Sequence, residues 1–335
     1  MTFPAPGPRL ILLAGIVAMG TAGAVVLLTG NPPGRTRSSP DVSSLRASCQ
    51  EGSNLLSFVS TRTGREQIYL LDVRRPEHLT QITTLPGFVM DPAWSPDGRR
   101  VAFRWFRPNT DTVGVYVADA GGSSVRLLAK PAGMPDWSPD GRSIAFANLD
   151  PEHRGISVAE VDDALAGEES AVRIVTEADA DVPEEAPAWS PDGARIAFTS
   201  QRSGSSDVWV VDADGTHMRD LTPKPSLDDS PAWSPDGRHI LFGSDRASHS
   251  PFGGDLFSMR PDGTNVRRLT REGHNYAPAW SPDGRWIAFN SQRDGNSEVY
   301  VMRPDGTGQR RLTDHQEADG IAAWVGDCSR RARVS

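Results

Sequence analysis

Residues 277–290, APAWSPDGRWIAFN, decide the fold. Ala279-Trp280 reads as the end of a first strand, and Ser281-Pro282-Asp283-Gly284 as a tight turn. Proline presets φ in such a turn and glycine supplies the positive φ that closes it. Trp286 to Asn290 then reads as a second strand, followed by the longer loop SQRDGNSE. Val299-Tyr300-Val301-Met302 is a third strand, Asp305-Gly306-Thr307 a hairpin turn, and Arg310 to Thr313 an outer fourth strand. The unit is a four-stranded meander.

The unit repeats. Trp-Ser-Pro-Asp-Gly begins at Trp94, Trp137, Trp189, Trp233 and Trp280, and a degraded sixth copy, AAWVGD, sits at Trp324. Successive tryptophans are 43, 52, 44, 47 and 44 residues apart, the length of one four-stranded propeller blade. Second strands recur as Val101/Phe103, Ile144/Phe146, Ile196/Phe198, Ile240/Phe242 and Ile287/Phe289. Third strands such as Val208-Trp209-Val210-Val211 are apolar nearly throughout, as expected when neighbouring blades cover both faces. The reading is an all-β, six-bladed β-propeller whose tryptophans pack between blades. Gly 32 and Pro 27 fit so many turns, and a net charge of −8 leaves no basic field to collect the phosphates of a nucleic acid.

The PAWSPDG and RPDGT strings resemble those of the TolB-like propellers, the WD40-like Pro-Asp (PD40) repeat family. The resemblance covers about residues 54–326 and departs from the pattern at 155–178, where VDDALAGEES replaces a hairpin turn. It implies an interaction platform in the bacterial cell envelope. TolB proper has an added N-terminal α/β domain, whose place here is taken by an anchor and a tether. Similar repeats occur in prolyl-oligopeptidase-type peptidases, but only 11 residues follow Trp324, too few for a hydrolase domain. Similar repeats also occur in oligogalacturonate-lyase-like propellers, where a metal does the chemistry on a polysaccharide.

The ends of the repeat predict how the ring closes. The chain enters at Leu55–Ser60 with a second-type strand, followed by Ile68–Asp72 as third and Leu79–Thr83 as fourth. Gly320–Trp324 is a first-type strand with nothing after it, so the two ends complete one blade and no sheet edge is left open. Cys49 and Cys328, the two cysteines, fall where that blade lacks its Trp-Ser-Pro-Asp-Gly turn. We expect a disulfide between them, worth up to ~5 kcal/mol in the loop-entropy picture, and hence an oxidising compartment.

The expected domain organisation is a tail at 1–9, a transmembrane helix at 10–29, a flexible tether at 30–48 and the propeller at 49–335. Leu10–Thr29 carries no charge over 20 residues, enough to cross a bilayer as one helix. Ala22 and Ala24 form a small-residue site that suits cleavage of a signal peptide, which would make the protein secreted. Cutting there would leave Val25-Val26-Leu27-Leu28 exposed, which favours an anchor in the bacterial cytoplasmic membrane. Arg9 before the segment and Arg35 and Arg37 after it leave orientation undecided by charge. The cysteine pair and the family place the propeller outside.

Both tight turns of each blade share one face; the second-to-third loops and the blade crossings share the other. The loop face varies in length and composition (WFRPNTDTVG, NLDPEHRG, SDRASHSPFGGD), as binding surfaces on rigid scaffolds do. Just before each first strand, Asp91, Glu184, Glu185, Asp228, Asp229, Glu317 and Asp319 recur, with His274 and Asn275 in one blade. Arg62, Arg202, Arg246 and Arg293 recur in neighbouring loops. Two readings stand together: the arginines tie the loops down by pairing with the acids, and the acids form a channel mouth that attracts a basic peptide or a divalent cation.

Asp212-Ala213-Asp214-Gly215 begins like a calcium loop but lacks the distal glutamate, and reads as a turn. His153, His249, His274 and His315 fall in loop-face segments without close ligand spacing, and no G-x-S-x-G elbow is present. No catalytic residue, resident cofactor or metal ligand is assigned. The expected function is a non-catalytic, membrane-tethered propeller that binds an envelope protein or peptide. A metal-dependent polysaccharide enzyme and a carbohydrate- or ligand-sensing ectodomain are the alternatives.

Overall fold

A computed structural model describes residues 54–110, 113–179, 181–247 and 254–326. They form six four-stranded antiparallel sheets. The first blade joins both ends of the chain: β24 (Asp319–Trp324), β1 (Leu55–Ser60), β2 (Gln67–Asp72) and β3 (Arg75–Gln81). The other five follow in order from the first strands β4 (Phe88–Trp94), β8 (Ala132–Trp137), β12 (Glu184–Trp189), β16 (Asp228–Trp233) and β20 (Asn275–Trp280). Each first strand touches the next, and β24 touches β4, so the six close a ring around a central channel.

The repeated tetrapeptide is a self-contained turn. In all five copies the serine hydroxyl donates to the aspartate, at 2.7, 2.6, 2.5, 2.6 and 2.6 Å, and the glycine N–H donates to the serine carbonyl. The same hydroxyl accepts the N–H five residues on, at 2.9 Å each time, from Arg100, Ser143, Arg195, His239 and Trp286. Asp212–Gly215 is likewise a turn, with Gly215 N–H donating to Asp212 O.

Packing follows the same repeat. Phe58, Phe103, Phe146, Phe198, Phe242 and Phe289 are fully buried, one per blade on its second strand. Trp94, Trp137, Trp233 and Trp324 are buried and Trp189 and Trp280 half-buried against the blade cores, as packing residues should be. Outside this core, one arginine on the outer strand of each of five blades donates to a carbonyl of the next blade: Arg126 to Leu165, Arg173 to Ala213, Arg219 to Pro261, Arg267 to Asp305 and Arg310 to Val73.

Two elements differ from expectation. The outer strand of the first blade begins at Arg75, not Leu79, because Val73-Arg74 makes a two-residue turn in which Asp72 accepts the Arg74 N–H at 2.8 Å. In the third blade VDDALAGEES folds as α1 (Val161–Ala166) and a 3₁₀ turn (Glu169–Ala171), ended by Gly167 at φ 91°. Burial of Val161 on the blade core holds that insertion in place.

The closure is an antiparallel ladder with one bulge. Leu56 opposes Trp324, Ser57 opposes Ala323, Val59 opposes Gly320 and Ser60 opposes Asp319. The Trp94 indole donates to Ser57 Oγ at 2.8 Å, and Ser57 donates to the Ala323 carbonyl at 3.0 Å, stitching the second blade to both chain ends. The segments 1–9, 10–29 and 30–48, His249, and the Cys49–Cys328 pair lie outside the described residues. No helix among the described residues is long and apolar enough to cross a membrane.

Across the closure Arg62 pairs with Asp319 at 2.7 Å, the carboxylate fully buried. Burial pushes the Asp319 carboxyl above its usual range despite Arg62, so the pair adds little by itself, but loss of the arginine strands a buried charge. Arg62→Ala should therefore cost about 3 kcal/mol in urea unfolding at pH 7. Arg74→Ala, which breaks an exposed pair with Asp72 at 3.0 Å, should cost under about 0.5 kcal/mol. Equal effects would contradict the placement of Asp319.

Candidate functional site

The first strands carry the channel wall, and each has the same irregularity. Asp91, Met134, Ala186, Ser230, Ala277 and Ile321 stand at equivalent positions with φ between 48° and 52° (48° at Ala277; 52° at Asp91 and Ser230). Left-handed backbone is unfavourable for such side chains and persists only where the surroundings impose it. At each site the ladder slips, so two residues oppose one: a β-bulge that turns the strand and re-aims its side chains. The next residue is proline in five blades (Pro92, Pro135, Pro187, Pro231, Pro278) and Ala322 in the sixth; proline suits a bulge because it has no N–H to leave unpaired.

Strand alternation ahead of the bulge divides the acids, and the matching Asn275, into two sets. Those at the first position of the strand, Glu184, Asp228, Asn275 and Asp319, are buried between blades. Each meets the loop arginine of its blade: Arg202 with Glu184, Arg246 with Asp228 at 2.7 Å, Arg293 with Asn275 at 2.9 Å and Arg62 with Asp319. These arginines also lie over rings, as Arg246 does over Phe242 at 4.9 Å and Arg293 over Tyr300 at 4.7 Å. The expectation that these acids precede the first strands and open onto the channel needs correcting: they begin the strands and tie the loops to the blades. Glu317 stays in an exposed loop, where its N–H donates to His315 Nδ1 at 3.1 Å.

The second set faces the channel. Glu185 and Asp229 follow the buried acids by one residue, and Asp91 sits on the bulge of β4. Arg104, on β5 (Arg100–Phe106), pairs with Asp91 at 2.7 Å. Burial raises the Glu185 carboxyl; Arg104 and Arg154 pull it down while Asp91 and Asp229 push it up, so these five groups share one electrostatic neighbourhood. Enclosure by protein, then the Asp228 and Asp245 charges, lift Asp229 to about 6. Two glycines make room: a Cβ on Gly133 would meet Arg104 Cδ at 2.9 Å, and one on Gly243 would meet Asp229 Oδ1 at 2.6 Å. The Nε of Arg154 is buried and makes no hydrogen bond among the described residues. Beside it, between the third and fourth blades, lies a cleft of about 550 Å³ lined by Glu152, His153, Arg154, Glu177, Asp179 and Arg202.

Deeper in the same wall Asp136 replaces the alanine of the PAW string. Its carboxylate accepts the Trp189 N–H of the next blade at 2.7 Å, and burial lifts it to about 7. His153, His274 and His315 belong to separate blades, and no three His, Cys, Asp or Glu side chains converge on a metal-sized site among the described residues. The residues that sequence reading missed are Arg104, Arg154 and Asp136. Arg104 had a signal: its position holds Val59, Ala147, Thr199, Gly243 and Asn290 elsewhere.

Known proteins repeat this architecture. A model of the TolB beta propeller domain (PD40) matches residues 107–276. "Protein TolB homolog" of Chlorobium luteolum is 31% identical over 170 residues, 48% of this chain and 34% of that one. "Tol-Pal system protein TolB" of Anaeromyxobacter dehalogenans is 50% identical over 40 residues, 12% of this chain and 9% of that one. The crystal structure of TolB from Acinetobacter baumannii aligns with TM-score 0.68 at 22% identity, covering 82% of this chain and 68% of that one, which bears on fold alone. The matched part thus spans about a third or less of these curated relatives.

Asp136 gives a pH test. Its proton is held more tightly in the folded chain than in the unfolded one, so folding is favoured as pH falls through about 7 towards the ordinary carboxyl value and disfavoured above 7. Asp136→Asn keeps an acceptor for Trp189 without the charge. It should raise the melting temperature by roughly 3 °C at pH 8, an advantage that shrinks as pH falls below about 7 and is lost only near the ordinary carboxyl value, at about pH 4. A difference that grew on acidification would contradict the assignment.

Proposed function

The chain belongs to the TolB β-propeller (PD40) family, and from that premise we propose that it is a non-catalytic binding propeller of the bacterial envelope. Its partner is a protein or peptide, docked on the loop face at the channel mouth. The residues that meet it are Asp91, Arg104, Arg154, Glu185 and Asp229. The carrying observation is asymmetry. Four blades lock their loop arginine onto the first strand, whereas the second and third blades have Val89 and Ala132 at that position and direct Arg104 and Arg154 to the channel side instead. Charges that serve no loop are the ones available to a partner.

The mouth carries three carboxylates against two guanidinium groups, which suits a segment that presents a cation beside hydrogen-bonding groups. In this reading Leu10–Thr29 anchors the chain in the cytoplasmic membrane with the propeller outside and residues 30–48 as the tether, and Cys49 and Cys328 form a disulfide. The length and lack of charge of that segment support the tether, and the position of the two cysteines at the missing turn supports the bond.

Crosslinking of the full chain in native membranes, followed by affinity capture, tests this reading. The wild type should sediment with membranes and bring down a discrete partner whose yield falls as salt rises. Glu185→Gln with Asp229→Asn should reduce that yield at least five-fold, while Asp214→Asn on the turn face should not. Undiminished capture by the double variant would refute the site, and a full chain recovered only in the soluble fraction would refute the tether.

A further inference from the structure

The turn face, which the proposed function leaves idle, has a feature of its own. Between the fourth and fifth blades lies an open cleft of about 550 Å³ lined by Arg195, Arg219, Arg238, His239 and Arg260, with Asp262 at its edge. So much positive charge in one place is unexpected in a chain of net charge −8. Arg219 is committed: it donates to the Pro261 carbonyl at 3.0 Å and so fixes one wall to the other. Arg195 is held flat by the Trp233 indole, 4.9 Å from its ring centre. Among the described residues, the guanidinium groups of Arg195, Arg238 and Arg260 make no ion pair and no hydrogen bond.

Asp192, Asp236 and Asp262 feel the charges of Arg195, Arg238 and Arg260 but make no ion pair with them among the described residues. Asp236 accepts from the Ser234 hydroxyl at 2.6 Å and the Arg238 N–H at 3.1 Å, and Asp262 from the Thr264 hydroxyl and N–H at 2.6 and 2.9 Å. Both are spent on their own turns. The repeat makes the arrangement peculiar to this junction. The position of Arg260 is acidic in the three preceding blades (Asp119, Glu160, Asp212), so an arginine there first appears in the fifth. The position of Arg195 is Ser143 in the third blade, and the position of His239 is Trp286 in the sixth, where the indole packs on the core. In the second blade the corresponding Arg100 is occupied by Asp162 at 3.1 Å and the Gly141 carbonyl at 3.3 Å.

We propose that this cleft is a binding site for a phosphate-bearing anion. Three unpaired guanidinium forks from three segments, one pre-oriented on an indole, match an oxyanion with several acceptor oxygens better than a lone carboxylate, which one fork satisfies. His239 adds a further donor when protonated. The source is a soluble phosphate ester or the headgroup of an anionic lipid, and either presents the same chemistry.

Equilibrium dialysis of the purified full chain against labelled tripolyphosphate, at constant ionic strength, tests the site, with flotation of vesicles containing phosphatidylglycerol as the second arm. The wild type should bind at least one of the two probes. Arg195→Gln/Arg238→Gln/Arg260→Gln should weaken that binding ten-fold or more while leaving the melting temperature without ligand within about 2 °C. Arg303→Gln, the same position one blade on, should leave binding unchanged. Tripolyphosphate binding assigns a soluble ester and vesicle binding alone assigns a headgroup; both uphold the site. Binding of neither probe, or equal binding by wild type and triple variant, would overturn it. Should the triple variant fold poorly, Arg238→Gln alone, on an exposed side chain, should still weaken binding several-fold.

Discussion

The pairing of β24 with β1 is the constraint on which the rest depends. A linear run of these blades would expose the N–H and C=O rows of two strands and the apolar flank of two blades. Closing the run removes both, and it does so with the repeat's own parts. The Arg62–Asp319 pair across the closure is the same contact that Arg246 and Asp228 make inside one blade, but here it joins residues 257 apart in sequence. The ring is sealed by a local device used at long range. Channel geometry, and with it the position of every charge at the mouth, is set by that closure.

Much of this was legible in the chain. Trp-Ser-Pro-Asp-Gly gave the period, and each residue has a task in the turn: serine and aspartate hold the N–H groups, proline and glycine set the dihedrals. The phenylalanine of each second strand marked the blade core. The division of the acids was not legible. Glu184 and Glu185 are neighbours in sequence and alike in chemistry, yet one is fully buried on Arg202 and the other lines the channel. Strand alternation sends them to opposite faces, and identical residue types leave the choice of face unmarked. The bulge that follows them lies at positions occupied by Asp, Met, Ala, Ser, Ala and Ile, none of which announces a positive φ as glycine would. Arg104 was hidden for another reason: its partner, Asp91, is set opposite it only by that bulge.

The two faces divide the work by how their charges are used. On the loop face, arginines stacked on aromatic rings and paired with buried acids make a stiff rim, and the unpaired polarity gathers at the second to fifth blades. On the turn face, arginines cap the carbonyls of the next blade, and between the fourth and fifth blades guanidinium groups without an ion pair line a cleft. In both places repeat positions that depart from the pattern mark the chemistry, while positions that keep it build the frame. Burial raises the carboxyls of Asp136, Glu185 and Asp229, as it does those of Asp228 and Asp319 in the loop-locking pairs, so ionising any of them costs stability.

Hydrogen exchange on the full chain, compared with a chain ended at Ala318, tests the closure most directly. In the full chain the amides of Leu55–Ser60 should be as protected as those of the Ile240–Ser244 strand in the fifth blade. Removing the C-terminal strand should abolish that protection and lower it around the ring. Unchanged protection of Leu55–Ser60 in the shortened chain would contradict the account.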